Sequence, residues 1–231
     1  MFSVIIPIRK GSKGLPGKNI RLLGNKPLYR HTLDQAIAAG AEKIVISTDI
    51  PEVLTASHPE CVTLLPRPEN LCADTTTMAP VIVHAIESCK LVGTIVLMQA
   101  TSPLRRVEHI KSALELFLHG DFESVMTVTK ADSGVLKWGT LDGDRFEPLR
   151  DISYSFANRQ FLPDVFKPNG AVYVMDAGWF LKRKSFETKS IGVVHMSAED
   201  SQDIDTLSDL EKCEFFLTQR NLEPNDENRE P

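Results

Sequence analysis

The sequence has no hydrophobic run long enough to cross a membrane and no surplus of positive charge. Its 231 residues include 26 Lys and Arg against 31 Asp and Glu, which gives a formal net charge of -5. Spanning a bilayer takes about 20 consecutive apolar residues, and nucleic-acid-binding domains are usually basic. We therefore expect neither a membrane partner nor a nucleic-acid partner. The first apolar segment also lacks the features of a signal peptide, so we expect a cytoplasmic protein.

Cysteines are few and irregularly spaced. The four of them, Cys61, Cys72, Cys89 and Cys213, form no C-x-x-C pair, and the six histidines are scattered. This pattern excludes the common zinc and disulfide frameworks. We expect buried free thiols in a reducing compartment.

Short β-branched segments alternate with segments of helical periodicity. Strands are predicted at residues 2–8, 44–48, 62–65, 94–98, 124–129, 171–175 and 191–195. Helices are predicted at residues 27–40, 75–89, 107–117 and 207–217, with Ile37 and Leu207 among the inward-facing side chains. The alternation predicts an α/β protein in three layers, α/β/α, with a mostly parallel, Rossmann-like sheet. The length suits one domain over residues 1–221, followed by a polar tail at 222–231.

Residues 130–168 interrupt this alternation. They contain Trp138, several Gly and Pro residues, and little periodicity. We interpret them as an inserted arm that packs on a partner subunit.

A basic loop follows the first strand. Four cations, Arg9, Lys10, Lys13 and Lys18, fall within ten residues of this acidic chain, among three glycines. A strand followed by a glycine-bearing turn presents backbone N–H groups to phosphate. Walker A does not match, because five residues separate Gly11 from Gly17 where that motif has about four. A solvated basic turn is the alternative.

Two carboxylates, Asp203 and Asp205, precede the last predicted helix. Residues two apart in an extended segment point to the same side, and paired carboxylates suit Mg²⁺ with bound phosphates. Helix capping by Asp205 or Thr206 is the alternative. Cations for a triphosphate and carboxylates for its metal together favour nucleotidyl transfer.

Other polar segments lie where predicted strands end, which is where α/β proteins bind ligands. In residues 99–105, Gln99 and Arg105 are the functional candidates, and the remaining residues suit a helix start. Arg67 could contact a base or a phosphate, and Asp74 suits an N-cap. Asn169 and Gly170 are first of all turn residues.

Taken together, these segments resemble the acylneuraminate cytidylyltransferase (CMP-sialic acid synthetase) family. The resemblance covers roughly residues 2–212 and rests on seven segments in the family's order: residues 6–14 with 18–19, 47–49, 67–68, 99–105, 158–160, 167–173, and 203–206 with 209–210. It implies a nucleotidyltransferase sheet and a reaction of CTP with a nonulosonic acid that gives a CMP-sugar and pyrophosphate.

The resemblance also implies roles for individual residues. The triphosphate would be held by Arg9, Ser12, Lys13, Lys18 and Asn19, and the rest of CTP by Arg67. The sugar acid would face Gln99, Arg159, Asn169 and Tyr173. Lys137 would reach the sugar from the partner subunit, because family members are dimers with an exchanged arm. Asp203 and Asp205 would bind Mg²⁺, with Mn²⁺ as the alternative cation, and Arg9, Lys18 and the two aspartates would carry catalysis.

The sequence departs from the family pattern at Ile8, Lys10, Ala100 and Met78. At the position of Met78, many relatives carry a serine near the nucleotide. Three rival functions remain. One is a cytidylyltransferase for an octulosonate, and the second is a metal-dependent glycosyltransferase, since Asp-x-Asp also occurs there. The third is a non-catalytic nucleotide-binding protein.

Overall fold

A computed structural model gives the structure of the protein and describes residues 1–12 and 14–222. The strands are, in chain order, β1 (Ser3–Pro7), β2 (Leu22–Leu23), β3 (Lys26–Pro27), β4 (Lys43–Thr48), β5 (Val62–Pro66), β6 (Thr94–Met98), β7 (Ser124–Ala131), β8 (Gly139–Asp142), β9 (Arg145–Pro148), β10 (Val165–Asp176) and β11 (Ile191–Met196). The α-helices are α1 (Leu28–Ala38), α2 (Pro51–Leu54), α3 (Met78–Cys89), α4 (Val107–His119), α5 (Ser153–Phe156), α6 (Ala177–Arg183) and α7 (Leu207–Leu222).

Seven of the strands form one sheet in the order β11-β7-β10-β6-β1-β4-β5. Strands β6, β1, β4 and β5 are parallel neighbours, and β11 is parallel to β7. Strand β10 runs antiparallel to both of its neighbours, β6 and β7. The prediction of a mostly parallel sheet is therefore confirmed, with one antiparallel strand inside it.

Helices cover both faces of this sheet. Alternate side chains of a strand point to opposite faces, and β1 follows that rule: Val4 and Ile6 pack with α1 and α4, whereas Ile5 packs with α3 and α6. The three predicted layers are therefore present. Each face buries a separate apolar cluster, and these two clusters hold the strand ends in place.

A third apolar cluster lies at the end of the sheet where β1 and β6 finish. It joins Leu15 of the first loop, Ile204 of the Asp-Ile-Asp segment, and Leu210 and Cys213 of α7. Ile204 is fully buried. This cluster brings together two segments that are almost two hundred residues apart in the sequence.

Several details differ from the sequence-based expectations. Ile37 and Leu207 were expected to face inward, but they are 39% and 51% exposed because each lies at the edge of its helix's apolar stripe. All four cysteines are free, yet only Cys213 is buried. None of the helices within the described ranges has the length and apolar character that crossing a bilayer requires.

Residues 130–168 were expected to be an arm outside the sheet. Both ends of this range were wrong, because β7 runs to Ala131 and β10 begins at Val165 and pairs with β7 there. The preceding residues form a 3-10 turn at Ser133–Lys137, the β8–β9 hairpin and the short helix α5. We call residues 132–164 the extension. The polar tail beyond residue 222 lies outside the described residues.

Candidate active site

The basic loop after β1 is held in shape by contacts with its own residues and with β4. Asn19 is buried, and its side-chain amide donates to the Arg9 carbonyl at 2.9 Å. The backbone N–H of Lys10 donates to the Asp49 carboxylate, 2.7 Å away. Gly17 takes a φ of 66°, a conformation that favours glycine, and Lys18 follows it in a 3-10 turn.

Exposure alternates along the Asp-Ile-Asp segment, as its spacing predicts: Asp203 and Asp205 are exposed and Ile204 is buried. Ile204 turns inward and its N–H donates to the Thr101 carbonyl at 2.8 Å, so Asp203 and Asp205 face outward. Thr206 and Asp209 cap α7 through reciprocal hydrogen bonds. Helix capping therefore does not occupy Asp203 or Asp205, and both carboxylates are available to the site.

The first loop and the Asp-Ile-Asp segment meet directly. Lys18 Nζ lies 2.7 Å from Asp205 Oδ1. Gly14 packs so closely on the backbone of Asp205 that a Cβ at this position would lie 2.3 Å from the Asp205 carbonyl oxygen. Only glycine permits this approach without a backbone shift.

These segments surround a cavity of about 380 Å³, which we call the first cavity. Its lining includes seven of the sequence-predicted site residues: Arg9, Ser12, Lys18, Asn19, Arg67, Gln99 and Asp205. Met78, Thr101 and Asp74 line it as well. Lys13, also assigned to the triphosphate, lies outside the described residues.

Two arginines of the first cavity are already engaged in this structure. Arg67 is buried and donates to the Ser47 carbonyl and hydroxyl at 2.7 and 3.2 Å. Arg9 forms an ion pair with Asp74 at the mouth of the cavity. The expected N-cap role of Asp74 was wrong, because α3 begins later, after Thr77.

A second cavity of about 310 Å³ adjoins the first one. It is lined by Gln99, Lys167, Pro168, Asn169, Gly170, Tyr173, Ser201 and Asp203. Gln99 borders both cavities. A ligand in one cavity would therefore share a wall with a ligand in the other.

Asn169 is buried in that wall and uses its side chain internally. Its amide group donates to the Ser201 hydroxyl at 2.9 Å, and its oxygen accepts from the Thr127 hydroxyl at 2.6 Å. Asn169 thus ties β10 to β7 and to the segment before Asp203.

Some candidates lie away from the two cavities. Arg105 is 1% exposed, so the expectation that it contacts a ligand directly was wrong; Arg105 is instead held inside the sheet end. Lys137 donates to the Ala157 carbonyl, and the exposed Arg159 pairs with Asp132 at 2.9 Å. Both belong to the extension, and neither lines the first or the second cavity.

Two polar side chains of the second cavity, Lys167 and Ser201, were not among the predicted site residues. Lys167 lies just before the Pro-Asn-Gly turn. A cation next to such a turn could have indicated a ligand-binding residue from the sequence. Ser201 carries no comparable pattern, because its place depends on the hydrogen bond from Asn169.

The electrostatics of the two aspartates differ. Partial burial of the carboxyl group raises the pKa of Asp203, a hydrogen bond from Thr101 lowers it, and the nearby Asp205 carboxylate raises it. Asp205 is largely exposed and pairs with Lys18. Negative charge is therefore crowded at Asp203.

These residues fit a magnesium ion that is held jointly with phosphates. The described residues contain no group of three or more metal-ligating side chains. Mg²⁺ commonly takes only one or two carboxylates from the protein and fills its other positions with water and substrate phosphate. The mutual repulsion of Asp203 and Asp205 is what a cation at this place would relieve.

The fold is that of α/β nucleotidyltransferases. CMP:2-keto-3-deoxy-manno-octonic acid synthetase, solved with CTP, superposes with a TM-score of 0.69 at 15% identity over 95% of this chain and 99% of that one. 4-Diphosphocytidyl-2C-methyl-D-erythritol synthase from Anaerococcus prevotii superposes with a TM-score of 0.61 at 15% identity, over 94% of this chain and 98% of that one.

Residues 3–139 match the family model described as "Cytidylyltransferase", and the chain belongs to that family. CMP-N,N'-diacetyllegionaminic acid synthase of Legionella pneumophila is 30% identical, over 96% of this chain and 97% of its own. N-acylneuraminate cytidylyltransferase of Streptococcus agalactiae serotype V is 31% identical over 89% of this chain. The chain spans about half (51%) of that relative's length. The resemblance seen in the sequence is thus confirmed.

Proposed function

We propose that this protein activates a nine-carbon 2-keto sugar acid with CTP, giving the CMP-sugar and pyrophosphate. One observation carries the proposal: the basic first loop and Asp205 line one cavity, and a second, polar cavity bordered by Asp203 adjoins it through Gln99. Two substrates that must react with each other need two adjoining sites.

The first cavity takes the nucleotide in this proposal. Arg9 and Lys18 supply positive charge where the triphosphate would lie, and Arg67 and Asn19 border the same space. Arg9 must then exchange Asp74 for a phosphate oxygen, which keeps its charge paired in both states. A bound Mg²⁺, held by Asp203 and Asp205, would supply further charge neutralisation for the leaving pyrophosphate.

The second cavity takes the sugar acid. Its cation, Lys167, suits the carboxylate that all 2-keto acids share, and Tyr173 and Gln99 offer hydrogen-bonding groups. The anomeric hydroxyl oxygen attacks the α-phosphorus, and the bond to the oxygen bridging the α- and β-phosphorus breaks. The electron pair of that bond leaves with pyrophosphate. Holding both substrates for this in-line attack accounts for much of the rate.

Asp203 is the carboxylate best placed to take the hydroxyl proton. It borders the second cavity, whereas Asp205 borders the first. A raised pKa makes Asp203 a stronger base than an ordinary carboxylate. Because metal coordination lowers basicity, we assign the principal metal contact to Asp205 and a weaker one to Asp203.

The substrate class rests on the relatives, whose names specify N-acylneuraminate and N,N'-diacetyllegionaminic acid. Both are nine-carbon 2-keto acids that share the carboxylate and differ in substituents. We propose the cytoplasm as the location, since the four cysteines are free thiols and these persist in a reducing compartment.

A homodimer completes the site in this proposal. The extension exposes large apolar side chains, among them Trp138, Phe156 and Phe161, which are 63%, 84% and 71% exposed. Exposed apolar patches of this kind mark interaction surfaces. A second copy that covers them could bring Lys137 and Arg159 to its neighbour's second cavity.

Pyrophosphate release from CTP tests the proposal. We expect release with Mg²⁺ and at least one acid from a panel of N-acetylneuraminate, N,N'-diacetyllegionaminate, pseudaminate and an octulosonate, and none when the acid is omitted. Turnover with the octulosonate alone would assign the other sugar class. No turnover with any acid would contradict the enzymatic proposal.

A further inference from the structure

Arg105 is a fully buried cation at the carboxyl end of the sheet. Only 1% of its surface is exposed. Its guanidinium donates to four neutral oxygens: Gln35 Oε1 at 3.1 Å, Thr32 Oγ1 at 2.8 Å, the Gln99 carbonyl at 3.2 Å and the Ala171 carbonyl at 2.6 Å. Within the described part of the chain, no ion pair includes Arg105.

One of those acceptors lies in a residue that lines both cavities, and another lies in the strand segment beside the second cavity. Gln99 follows β6 and borders both cavities, and Ala171 belongs to the part of β10 that lines the second cavity. The pairing of β10 with β7 shifts register between Pro168 and Tyr173. The sheet ladder is therefore interrupted where β10 forms the cavity wall, and Arg105 supplies a hydrogen bond there.

The same place is packed tightly. Gly170 has a φ of 75° and lies against Gln99, so that a Cβ there would be 2.7 Å from Gln99 Oε1. Gln35 reinforces the other side, because its amide group donates to the carbonyls of Pro103 and Arg105. The backbone of Gln99 and the bend in β10 are consequently linked through one guanidinium, and the Gln99 side chain packs against that bend at Gly170.

Burying a cation without an anionic partner is costly. Burial lowers the pKa of Arg105 to about 9, because removal from water disfavours the charged form of the guanidinium. A neutral apolar residue would avoid this cost and could fill the space. The planar guanidinium offers something that such a residue cannot, namely several donors in one fixed plane.

We propose that Arg105 is a positioning residue that fixes Gln99 relative to residues 169–173 and thereby aligns the contents of the two cavities. This inference rests on the proposed function for the identity of those contents. Arg105 touches neither cavity, so it acts only through the residues it holds. Loss of the clamp should misalign the reacting groups and leave the first loop, which binds the triphosphate, unchanged.

Two variants weaken the clamp to different degrees. Arg105→Lys keeps the charge, but one ammonium group cannot reach all four acceptors. Thr32→Val is nearly isosteric and removes a single acceptor. This milder variant should therefore fold even if Arg105→Lys does not. Arg106→Lys is the matched control, because the neighbouring Arg106 is half-exposed and pairs with Asp200 away from both cavities.

Two readouts are needed. Hydrogen exchange of the free protein, followed by mass spectrometry, should show faster exchange of peptides covering residues 99–102 and 169–173 in both clamp variants. Steady-state kinetics should show a kcat lowered about 10- to 100-fold in Arg105→Lys and several-fold in Thr32→Val, since small misplacements of reacting groups have effects of this order. The Kd for CTP, measured by calorimetry, should stay within about two-fold. Arg106→Lys should match the wild type in all three measurements.

Unchanged exchange in both clamp variants, or an unchanged kcat, would overturn the proposal. So would a loss of CTP affinity as large as the loss of kcat, because that would indicate general loosening of the site. If Arg105→Lys does not fold, Thr32→Val decides by the same criteria. Absence of wild-type turnover would count against the proposed function, and the exchange measurement would still decide whether Arg105 holds the two walls.

Discussion

Lys18 Nζ donates to Asp205 Oδ1 over 2.7 Å, although the two residues are 187 positions apart. The side chain of Lys18 is 9% exposed and that of Asp205 is 71% exposed. The ion pair thus joins a buried cation of the first loop to a carboxylate that opens onto the first cavity. Removing only one partner would leave the charge of the other uncompensated. The loss of stability is larger when the charge left behind is that of buried Lys18 than when it is that of exposed Asp205.

Asp205→Asn should lower kcat/KM by roughly three orders of magnitude, since the variant loses a carboxylate that would hold the metal. The fold should persist at lower stability, because the amide oxygen can still accept from Lys18 but no longer compensates its charge. Pyrophosphate release and thermal unfolding measure the two effects. Asp34→Asn, at an exposed ion pair with Lys26, is the control and should leave turnover unchanged. Turnover within ten-fold of the wild type in Asp205→Asn would contradict the metal assignment.

Gly14→Ala should destabilise the protein by about 1–3 kcal/mol, the usual cost of overpacking a tight contact. The added Cβ would lie 2.3 Å from the Asp205 carbonyl oxygen, so the first loop and the Asp-Ile-Asp segment must separate. Thermal unfolding measures the loss. Gly11→Ala is the matched control for stability, since its Cβ would meet nothing closer than 3.6 Å. Equal melting temperatures for the two variants would show that this contact relaxes without cost.

The sequence allowed much of the site to be predicted, because its parts are local patterns. The cations of the first loop lie within ten residues, and Asp203 and Asp205 are separated by one apolar residue that turns inward. The strands were predictable for the same reason, since a buried strand such as β6 is a continuous apolar run.

Other features depend on contacts between distant segments and leave no local pattern. Asp74 precedes a helix and suited an N-cap, yet the Arg9 guanidinium, 65 residues away, takes it as an ion-pair partner. Arg105 follows a strand that ends at a cavity, and its position suggested contact with a ligand. Because α1 and β10 bury it, Arg105 contacts the residues around the cavities and no ligand. The residues before and after such a side chain do not encode its burial.

Asp203→Asn should stabilise the metal-free protein at neutral pH while abolishing turnover. Folding raises the pKa of Asp203, so the ionised carboxylate is disfavoured in the folded state. This penalty is fully present above the folded pKa and disappears as the pH falls below the unfolded pKa. The variant should therefore melt at a higher temperature than the wild type at pH 7.

That difference should shrink when the pH is lowered through the folded pKa of Asp203 towards the value of an unfolded aspartate. Melting curves in EDTA, without CTP, at several pH values test this directly. Asp34→Asn, at the exposed pair with Lys26, should show no comparable gain at pH 7. A variant less stable than the wild type at pH 7 would mean that the Thr101 hydrogen bond to Asp203 outweighs its burial and the repulsion from Asp205.

A mixed dimer can show whether Lys137 acts across subunits. Lys137→Ala and Asp205→Asn should each be nearly inactive as homodimers. In a mixed dimer, the site with an intact Asp205 would receive an intact Lys137 from its partner, so co-expression should restore activity at about a quarter of all sites. If Lys137 served its own chain, every site of the mixture would lack one of the two groups. Recovery of pyrophosphate release in purified, doubly tagged dimers would therefore show that Lys137 acts in the partner's site. If a stable mixed dimer shows no recovery, Lys137 serves its own chain, where it packs against Ala157.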